Sequence, residues 1–330
     1  MLNNELNYHI ELSKNSYIYT DLDNIFITFI SCNDILTLIY TTKNNSIISY
    51  DINQFQIITE IKNAHKGKFI INFRHFFDKI KKVDLILSIS ACDINIWNNK
   101  NWELILYLEK IYSLGRINSA CFIQDISKEI FIVTSNNYFN SPEGIKIFNL
   151  EGKIVKEIEN SKENIYFIDI FNEINSSEIY IIACCYDCLT TYNYNKNFLY
   201  KKYYSKNSKV HYSFKIINNN KNISIIESAM DNKIRLWDFH SSELLNIFNI
   251  SNKSLYGICL LNNDNIFICA SNNIILLNII NGKIKTIIKG FNNWICCTNL
   301  IRHKKYGKCL VTQGIKNEQI KLWCIKGMNL

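Results

Sequence analysis

Residues 210–248 read VHYSFKIINNNKNISIIESAMDNKIRLWDFHSSELLNIF, and this stretch decides the fold. Its apolar residues fall into four short runs, VHYSFKII, NISIIESAM, KIRLWDF and ELLNIF, which are rich in the β-branched and aromatic residues that favour strands. Asp231-Asn232 separates the second run from the third, and Asn tolerates the left-handed backbone that a tight turn requires. The stretch therefore predicts four antiparallel strands in one small sheet.

The end of the third run, a bulky apolar residue followed by Asp or Asn, recurs along the whole chain at intervals of 40 to 51 residues. The seven pairs are Tyr50-Asp51, Trp97-Asn98, Phe148-Asn149, Tyr192-Asn193, Trp237-Asp238, Leu277-Asn278 and, with Cys in the second place, Trp323-Cys324. A period in the forties with several strand-like runs per period is typical of a β-propeller. We therefore predict an all-β chain that forms one domain over residues 1–330, a seven-bladed β-propeller of four-stranded antiparallel blades. The predicted blades cover about 25–61, 69–108, 117–158, 165–203, 210–248, 255–288 and 295–330.

The two ends of the sequence predict how the ring closes. Seven residues follow Trp323, too few for a turn and another strand of normal length. Before the first blade there is a surplus strand-like run, SYIYTDL, at residues 16–22. We expect this run to be the outer strand of the last blade, which would remove two exposed sheet edges.

The unit at 210–248 resembles the WD repeat, because Asp231 stands at the turn aspartate of that family and Trp237-Asp238 is its signature dipeptide. The resemblance extends over essentially the whole chain in degenerate form. It implies structural roles for Asp231 and Trp237, and it implies closure of the ring by the N-terminal strand.

A second unit, at about 64–97, carries another part of the WD pattern, with Ala64-His65 in place of the Gly-His dipeptide. The resemblance implies that four residues of this unit form a hydrogen-bonded set that ties blade 2 together: His65, Ser88, Asp93 and Trp97. A buried indole and a buried imidazole both need hydrogen-bond partners, so these roles are structural. The other blades lack the His, and we expect them to rely on apolar packing.

Composition limits the cellular context. The 12 Cys are scattered, the first residues lack the pattern of a signal peptide, and no apolar stretch approaches the roughly 20 residues that cross a bilayer. We expect reduced thiols, a cytoplasmic or nuclear location and no transmembrane segment. The net charge of +8 permits an acidic partner without requiring one.

The sequence contains no motif of a known catalytic or nucleotide-binding site, so we expect no enzyme and no cofactor. Cys185 and Cys188 have C-x-x-C spacing beside Asp187, with Cys184 adjacent. A closed zinc site needs four ligands, and no second such pair follows at the right distance. We favour a structural interpretation for these cysteines over a metal site.

The residues just before each innermost strand predict a partner-binding surface. In WD-repeat propellers this position lies on the top face, around the central channel. The set is Asn24, Lys68, Arg116, Asn164, Lys209, Ser254 and Trp294. Exposed Trp and Arg are typical interface anchors, so an acidic peptide with an apolar anchor is the expected ligand. The alternative is that Trp294 covers its own blade.

A second, basic group lies in first-to-second-strand connections, which are expected on the opposite, bottom face: Lys79, Lys81, Lys82, Arg302, Lys304, Lys305 and Lys308. Solvated loop lysines need no partner. Taken together, the sequence favours a non-catalytic protein–protein interaction scaffold within a multiprotein complex. The alternative is a propeller that binds RNA or an anionic lipid through these basic loops.

Overall fold

The computed structural model describes the chain except for residues 1–8, 19–27, 33–34, 43, 55, 79–80, 137–142, 159–162, 174–175, 207–210, 220–221, 253–254, 290–294, 306, 315–319 and 327–330. The described residues form 28 β-strands in seven four-stranded antiparallel sheets. The all-β, seven-bladed propeller predicted from the repeat is thereby confirmed. In the described part of the chain we find no helix long and apolar enough to cross a membrane.

The first described strand is β1 (His9–Ile18), and six blades built from consecutive strands follow it, beginning with blades 1 to 3. Blade 1 contains β2 (Thr28–Cys32), β3 (Ile35–Thr41), β4 (Ile47–Asp51) and β5 (Gln56–Ile61). Blade 2 contains β6 (Ile70–Asp78), β7 (Val83–Ser90), β8 (Asp93–Asn98) and β9 (Leu104–Glu109). Blade 3 contains β10 (Ile117–Gln124), β11 (Ile130–Asn136), β12 (Ile145–Phe148) and β13 (Ile154–Ile158).

The second half of the ring continues in the same order. Blade 4 contains β14 (Phe167–Glu173), β15 (Glu178–Cys184), β16 (Cys188–Asn193) and β17 (Phe198–Tyr204). Blade 5 contains β18 (His211–Asn219), β19 (Asn222–Ala229), β20 (Lys233–Asp238) and β21 (Leu244–Asn249). Blade 6 contains β22 (Leu255–Leu260), β23 (Asn265–Ala270), β24 (Asn273–Asn278) and β25 (Ile284–Ile288), and blade 7 contains β26 (Ile295–His303), β27 (Gly307–Gly314) and β28 (Ile320–Lys326).

The fourth strand of the last sheet comes from the other end of the chain. β1 pairs antiparallel with β28, so that His9 lies opposite Lys326 and Ile18 opposite Ile320. This N-terminal strand spans His9–Ile18 and overlaps only the beginning of the run at 16–22. Residues 19–22 lie outside the described part.

A backbone hydrogen bond joins neighbouring blades at the same place in the repeat. A carbonyl at the end of one blade's second strand, or just after it, accepts from the amide at the start of the next blade. The four described examples are Ile117 to Ala91 (3.0 Å), Ile165 to Asn136 (3.3 Å), His211 to Cys185 (3.1 Å) and Ile295 to Ser271 (2.8 Å). The starts of the first strands and the second-to-third-strand turns therefore share one end of the sheets, which we call the top face.

The hydrophobic core lies between blades rather than within any one of them. Leu87 and Ile96 of blade 2, for example, pack in one buried cluster with Ala120 and Ile132 of blade 3. Because each sheet buries its faces against its neighbours, the ring grows by repetition. Packing between neighbouring blades therefore holds the ring together.

Candidate functional site

The structure brings together the four blade 2 residues that the WD resemblance singled out. The Trp97 indole Nε1 donates to Ser88 Oγ at 2.8 Å, and Ser88 Oγ lies 2.7 Å from His65 Nε2. His65 Nδ1 bonds to Asp93 Oδ1. All four side chains are buried, so the network can hold the blade together but cannot reach a substrate.

Asp93 extends this network to the top face. Its Oδ2 atom accepts from Lys68 Nζ at 2.6 Å, and Ser90 Oγ donates to its other oxygen. Burial alone would raise the pKa of Asp93, but hydrogen bonds from His65, Lys68 and Ser90 outweigh it and lower the pKa to about 2. Lys68 is therefore committed to an internal ion pair.

Blades 3 and 7 contain partial versions of the same network, so the expectation that they rely on apolar packing alone is wrong. Tyr112 lies five residues before Ile117, as His65 lies before Ile70, and its hydroxyl bonds to Thr134 Oγ1 at 2.8 Å. In blade 7, Trp323 Nε1 donates to Thr312 Oγ1 at 2.8 Å. Counting back from each first strand would have identified Tyr112 from the sequence.

In blade 5 the two residues to which the WD resemblance assigns structural roles, Asp231 and Trp237, do not form the hydrogen-bonded network seen in blade 2. Asp231 accepts two hydrogen bonds from the buried Arg235 guanidinium, and Glu227 bonds to His211 Nδ1 at 2.6 Å. Trp237 is buried, but its Nε1 has no hydrogen-bond partner among the described residues. Asp231 thus anchors a buried cation, whereas Trp237 contributes by packing.

The observed strand register changes two members of the top-face set that the spacing predicts. In five blades the first strand has a bulge directly after its first paired residue, and this shared bulge aligns the five strands with one another. The aligned first residues are Ile70, Ile117, His211, Leu255 and Ile295. The residue before Ile70 is Phe69, with 61% of its surface exposed, so Phe69 rather than Lys68 is the counterpart of Arg116. By the same alignment Val210 rather than Lys209 precedes the strand of blade 5.

Of the predicted ring, the described residues are Lys68, Arg116 and Asn164. Arg116 is exposed and pairs with no described residue. Asn164 is half-buried, and its Nδ2 lies 3.3 Å from the Tyr166 hydroxyl. Asn24, Lys209, Ser254 and Trp294 lie outside the described residues.

A cleft of about 320 Å³ opens on the top face beside Arg116, between blades 2 and 3. Its lining includes Lys68, Cys92, Glu109, Lys110, Gly115 and Ile117. Leu114, half exposed, lies in the same connecting segment. The cleft therefore combines apolar surface with cations, and its volume is at the lower end of the range for ligand pockets.

The basic group of the bottom face is partly engaged within the protein. Lys81 Nζ donates to the Lys128 carbonyl, and Lys308 Nζ donates to the Leu261 carbonyl at 2.7 Å. The other described members are exposed: Lys82, Arg302, Lys304 and Lys305. Lys79 lies outside the described residues.

The C-x-x-C pair of blade 4 occupies the top face as well. Cys185 and Cys188 flank the two-residue turn between β15 and β16 and are buried. Cys188 Sγ donates to Glu163 Oε2 at 3.1 Å, and the other oxygen of Glu163 bonds to Lys202 Nζ. Although burial opposes its charge, hydrogen bonds from Lys202 and Cys188 lower the pKa of Glu163. Cys184 points into the separate core between blades 4 and 5.

The sequence of this chain matches no protein-family model, and no curated protein is detectably similar to it. The fold and its sites are therefore interpreted from their own geometry.

Proposed function

We propose that this chain is a degenerate WD-repeat propeller that acts as a non-catalytic protein–protein interaction scaffold in a multiprotein complex. Its top face would bind an acidic peptide that carries an apolar anchor. The observation that carries this proposal is the cleft between blades 2 and 3, which lies beside exposed cationic and apolar side chains. A rigid propeller supplies the platform, but the fold alone does not determine the partner.

Two exposed side chains are suited to contact an apolar anchor. Phe69 and Leu114 are 61% and 49% exposed, and they flank the starts of blades 2 and 3. Aromatic residues are enriched at the core of protein interfaces, so Phe69 in particular is suited to such a contact. In the sequence Trp294 directly precedes Ile295, as Phe69 precedes Ile70, and it would add a third anchor.

The exposed cations of this surface support an acidic partner. Lys66, Lys110 and Arg116 are exposed, whereas Glu109 is the acidic residue that lines the cleft. These cations would steer the encounter and fix the register of the peptide rather than supply most of the affinity. Lys68 would contribute less, because its ammonium already pairs with Asp93.

Nine described cysteines are free thiols, which supports a reducing compartment, the cytoplasm or the nucleus.

Affinity purification from the organism's own cells tests the proposal. The Phe69→Ala/Arg116→Glu variant and the Trp294→Ala variant should each lose the principal co-purifying proteins, by about 30-fold for a hot-spot loss of about 2 kcal/mol. The matched control is Lys82→Glu/Lys304→Glu, which changes charge on the bottom face only. Unchanged thermal unfolding of each variant establishes that the fold is intact.

The opposite pattern would support the second candidate, binding of RNA or an anionic lipid by the basic bottom loops. In that case the control variant would lose its ligand while the top-face variants keep theirs. Binding to RNA would also weaken steeply with salt, because phosphate contacts release counterions. This second candidate is supported by three exposed cations of blade 7, Arg302 near the end of β26 and Lys304 and Lys305 in the connection that follows it.

A further inference from the structure

Three metal-ligating groups from separate segments meet on the top face of blade 4. Glu163 precedes β14, Cys185 follows β15, and Cys188 begins β16. One carboxylate oxygen of Glu163 and the two Sγ atoms all lie within 4.8 Å of one another. Cys185 and Cys188 are 0% and 3% exposed. The Glu163 side chain is 23% exposed, so an ion can reach the cluster from solvent on that side.

The same niche in blade 2 is filled by an ionic network. Strand pairing aligns Cys188, which lies opposite Tyr204, with Asp93, which lies opposite Glu109. Cys185 then corresponds to Ser90, and Glu163, two residues before Ile165, corresponds to Lys68, two residues before Ile70. In blade 4 all three positions of the niche therefore carry groups that can bind a metal.

We propose that Glu163, Cys185 and Cys188 bind one Zn²⁺ ion. Zinc accepts thiolate and carboxylate ligands at about 2.3 Å and 2.0–2.2 Å, which brings the ligand atoms to roughly 4 Å from one another. Only a small contraction of the present cluster is required. Zn²⁺ replaces the two thiol protons, which leave to solvent, and no oxidation takes place.

The charges around the cluster balance when the ion is bound. Two thiolates and one carboxylate carry −3, so the complex with Zn²⁺ carries −1. Lys202 Nζ, which already bonds to Glu163, supplies the compensating positive charge. With three protein ligands, the fourth position of a tetrahedral site is open on the top face, for water or for a donor atom of a bound molecule.

A disulfide between the two cysteines is the competing chemistry, and the turn geometry disfavours it. The Cys185 amide donates to the Cys188 carbonyl at 2.9 Å, so the two residues form a hydrogen-bonded pair across the hairpin. Side chains of such pairs are farther apart than those of non-hydrogen-bonded pairs. The Cβ atoms of a disulfide must approach to about 3.8 Å.

The test uses the reduced, chelator-stripped full chain, titrated with Zn²⁺ against a chromophoric chelator and with Co²⁺ as a spectroscopic probe. We expect one tight site with the thiolate-to-cobalt charge-transfer band. Cys185→Ser/Cys188→Ser should weaken Zn²⁺ binding by more than roughly 100-fold, because even outer-shell losses cost about 10–100-fold. Lys202→Met, which removes an outer-shell partner, should weaken it by about 10–100-fold.

Two controls separate this site from other thiols. Cys92→Ser alters the exposed cysteine in the matching turn of blade 2, and Cys309→Ser/Cys324→Ser removes the pair that lies opposite on β27 and β28. Both should bind Zn²⁺ like the wild type. Should the double serine variant of blade 4 fold poorly, Glu163→Gln, at a half-buried position, tests the same site.

Any of three results would overturn the proposal. The wild-type chain could bind no Zn²⁺ or give a cobalt complex without the thiolate band. Binding could persist in the Cys185→Ser/Cys188→Ser variant. Finally, the chain could be isolated from cells with a Cys185–Cys188 disulfide, which would assign the pair to thiol–disulfide chemistry instead. The proposal does not depend on the identity of a protein partner, so it can fail independently of the scaffold function.

Discussion

Removing one oxygen atom, by Ser88→Ala, should destabilise the whole of blade 2. Ser88 Oγ accepts a hydrogen bond from the Trp97 indole and bonds to the His65 imidazole. Ser88 and His65 are fully buried, and Trp97 is almost so. Alanine has nearly the same shape, so little packing is lost, and both ring nitrogens are left without the partner that Ser88 provided.

The magnitude follows from the number of orphaned groups. A buried donor or acceptor that loses its partner costs about 1–3 kcal/mol. Two such groups should therefore lower the free energy of unfolding by about 2–6 kcal/mol, a large change for a natural protein. Thr312→Val in blade 7 is the matched comparison, because Thr312 Oγ1 accepts from the Trp323 indole and the isosteric replacement removes that single hydrogen bond. We expect about 1–3 kcal/mol there.

Urea unfolding followed by tryptophan fluorescence and by circular dichroism measures both variants. Two probes are needed because a chain of seven repeats can unfold in more than one step. The reasoning is refuted if Ser88→Ala costs no more than Thr312→Val, or if Ser88→Ala leaves the unfolding midpoint unchanged. Either result would mean that the imidazole and indole find other partners.

Three further outcomes are expected. The pKa of Asp93 is about 2 in the folded protein, against an ordinary value of 3.8, so the ionised carboxylate stabilises the fold by about 2 kcal/mol above pH 4. This stabilisation is lost as the pH falls toward 2. The Asp93→Asn variant should lack this pH dependence when its free energy of unfolding is measured against pH. His65→Ala and Trp97→Ala should each cost about 2–4 kcal/mol through lost core volume and orphaned polar groups, measured by urea unfolding; no loss in either would contradict the role of the network. Deleting residues 1–22 should expose the edge of β28 and cause aggregation, detected by light scattering, and a truncated chain that stays monomeric with unchanged unfolding would argue against edge protection by β1.

Most of the architecture could be predicted because it depends on local pattern. The recurring bulky residue before Asp or Asn marks the end of the third strand in each period, and the alternation of short apolar runs with Asn-rich turns sets the strand count. The turn at Asn232 illustrates this, since its φ of 66° is the left-handed conformation expected from the sequence. Such signals act over a few residues, so they survive the degeneracy of the repeats.

The top-face residues were harder to predict, because alignment by spacing is accurate only to about one residue. A first strand that begins one residue later shifts the position before it, so spacing alone indicates Lys68 where the register places Phe69. In five blades a bulge after the first residue of the first strand determines the alignment, yet the bulge is formed by pairing with another strand and leaves little local trace in the sequence. Lys68 also illustrates a second limit, since its ion pair with Asp93 spans 25 residues of sequence.

The sequence by itself determined the number of blades and the four-stranded repeat, because both follow from its periodicity. Its resemblance to the WD repeat implied the set of His65, Ser88, Asp93 and Trp97, which the structure shows to be buried and hydrogen-bonded. Only the tertiary structure decided which side chains are free on the top face and which ones meet there. Glu163 and the two thiols show the reason: residues more than 20 positions apart become neighbours when the β15–β16 turn packs beside the segment that precedes β14. Proximity of that kind depends on how strands pair, and strand pairing is a long-range property of the folded chain.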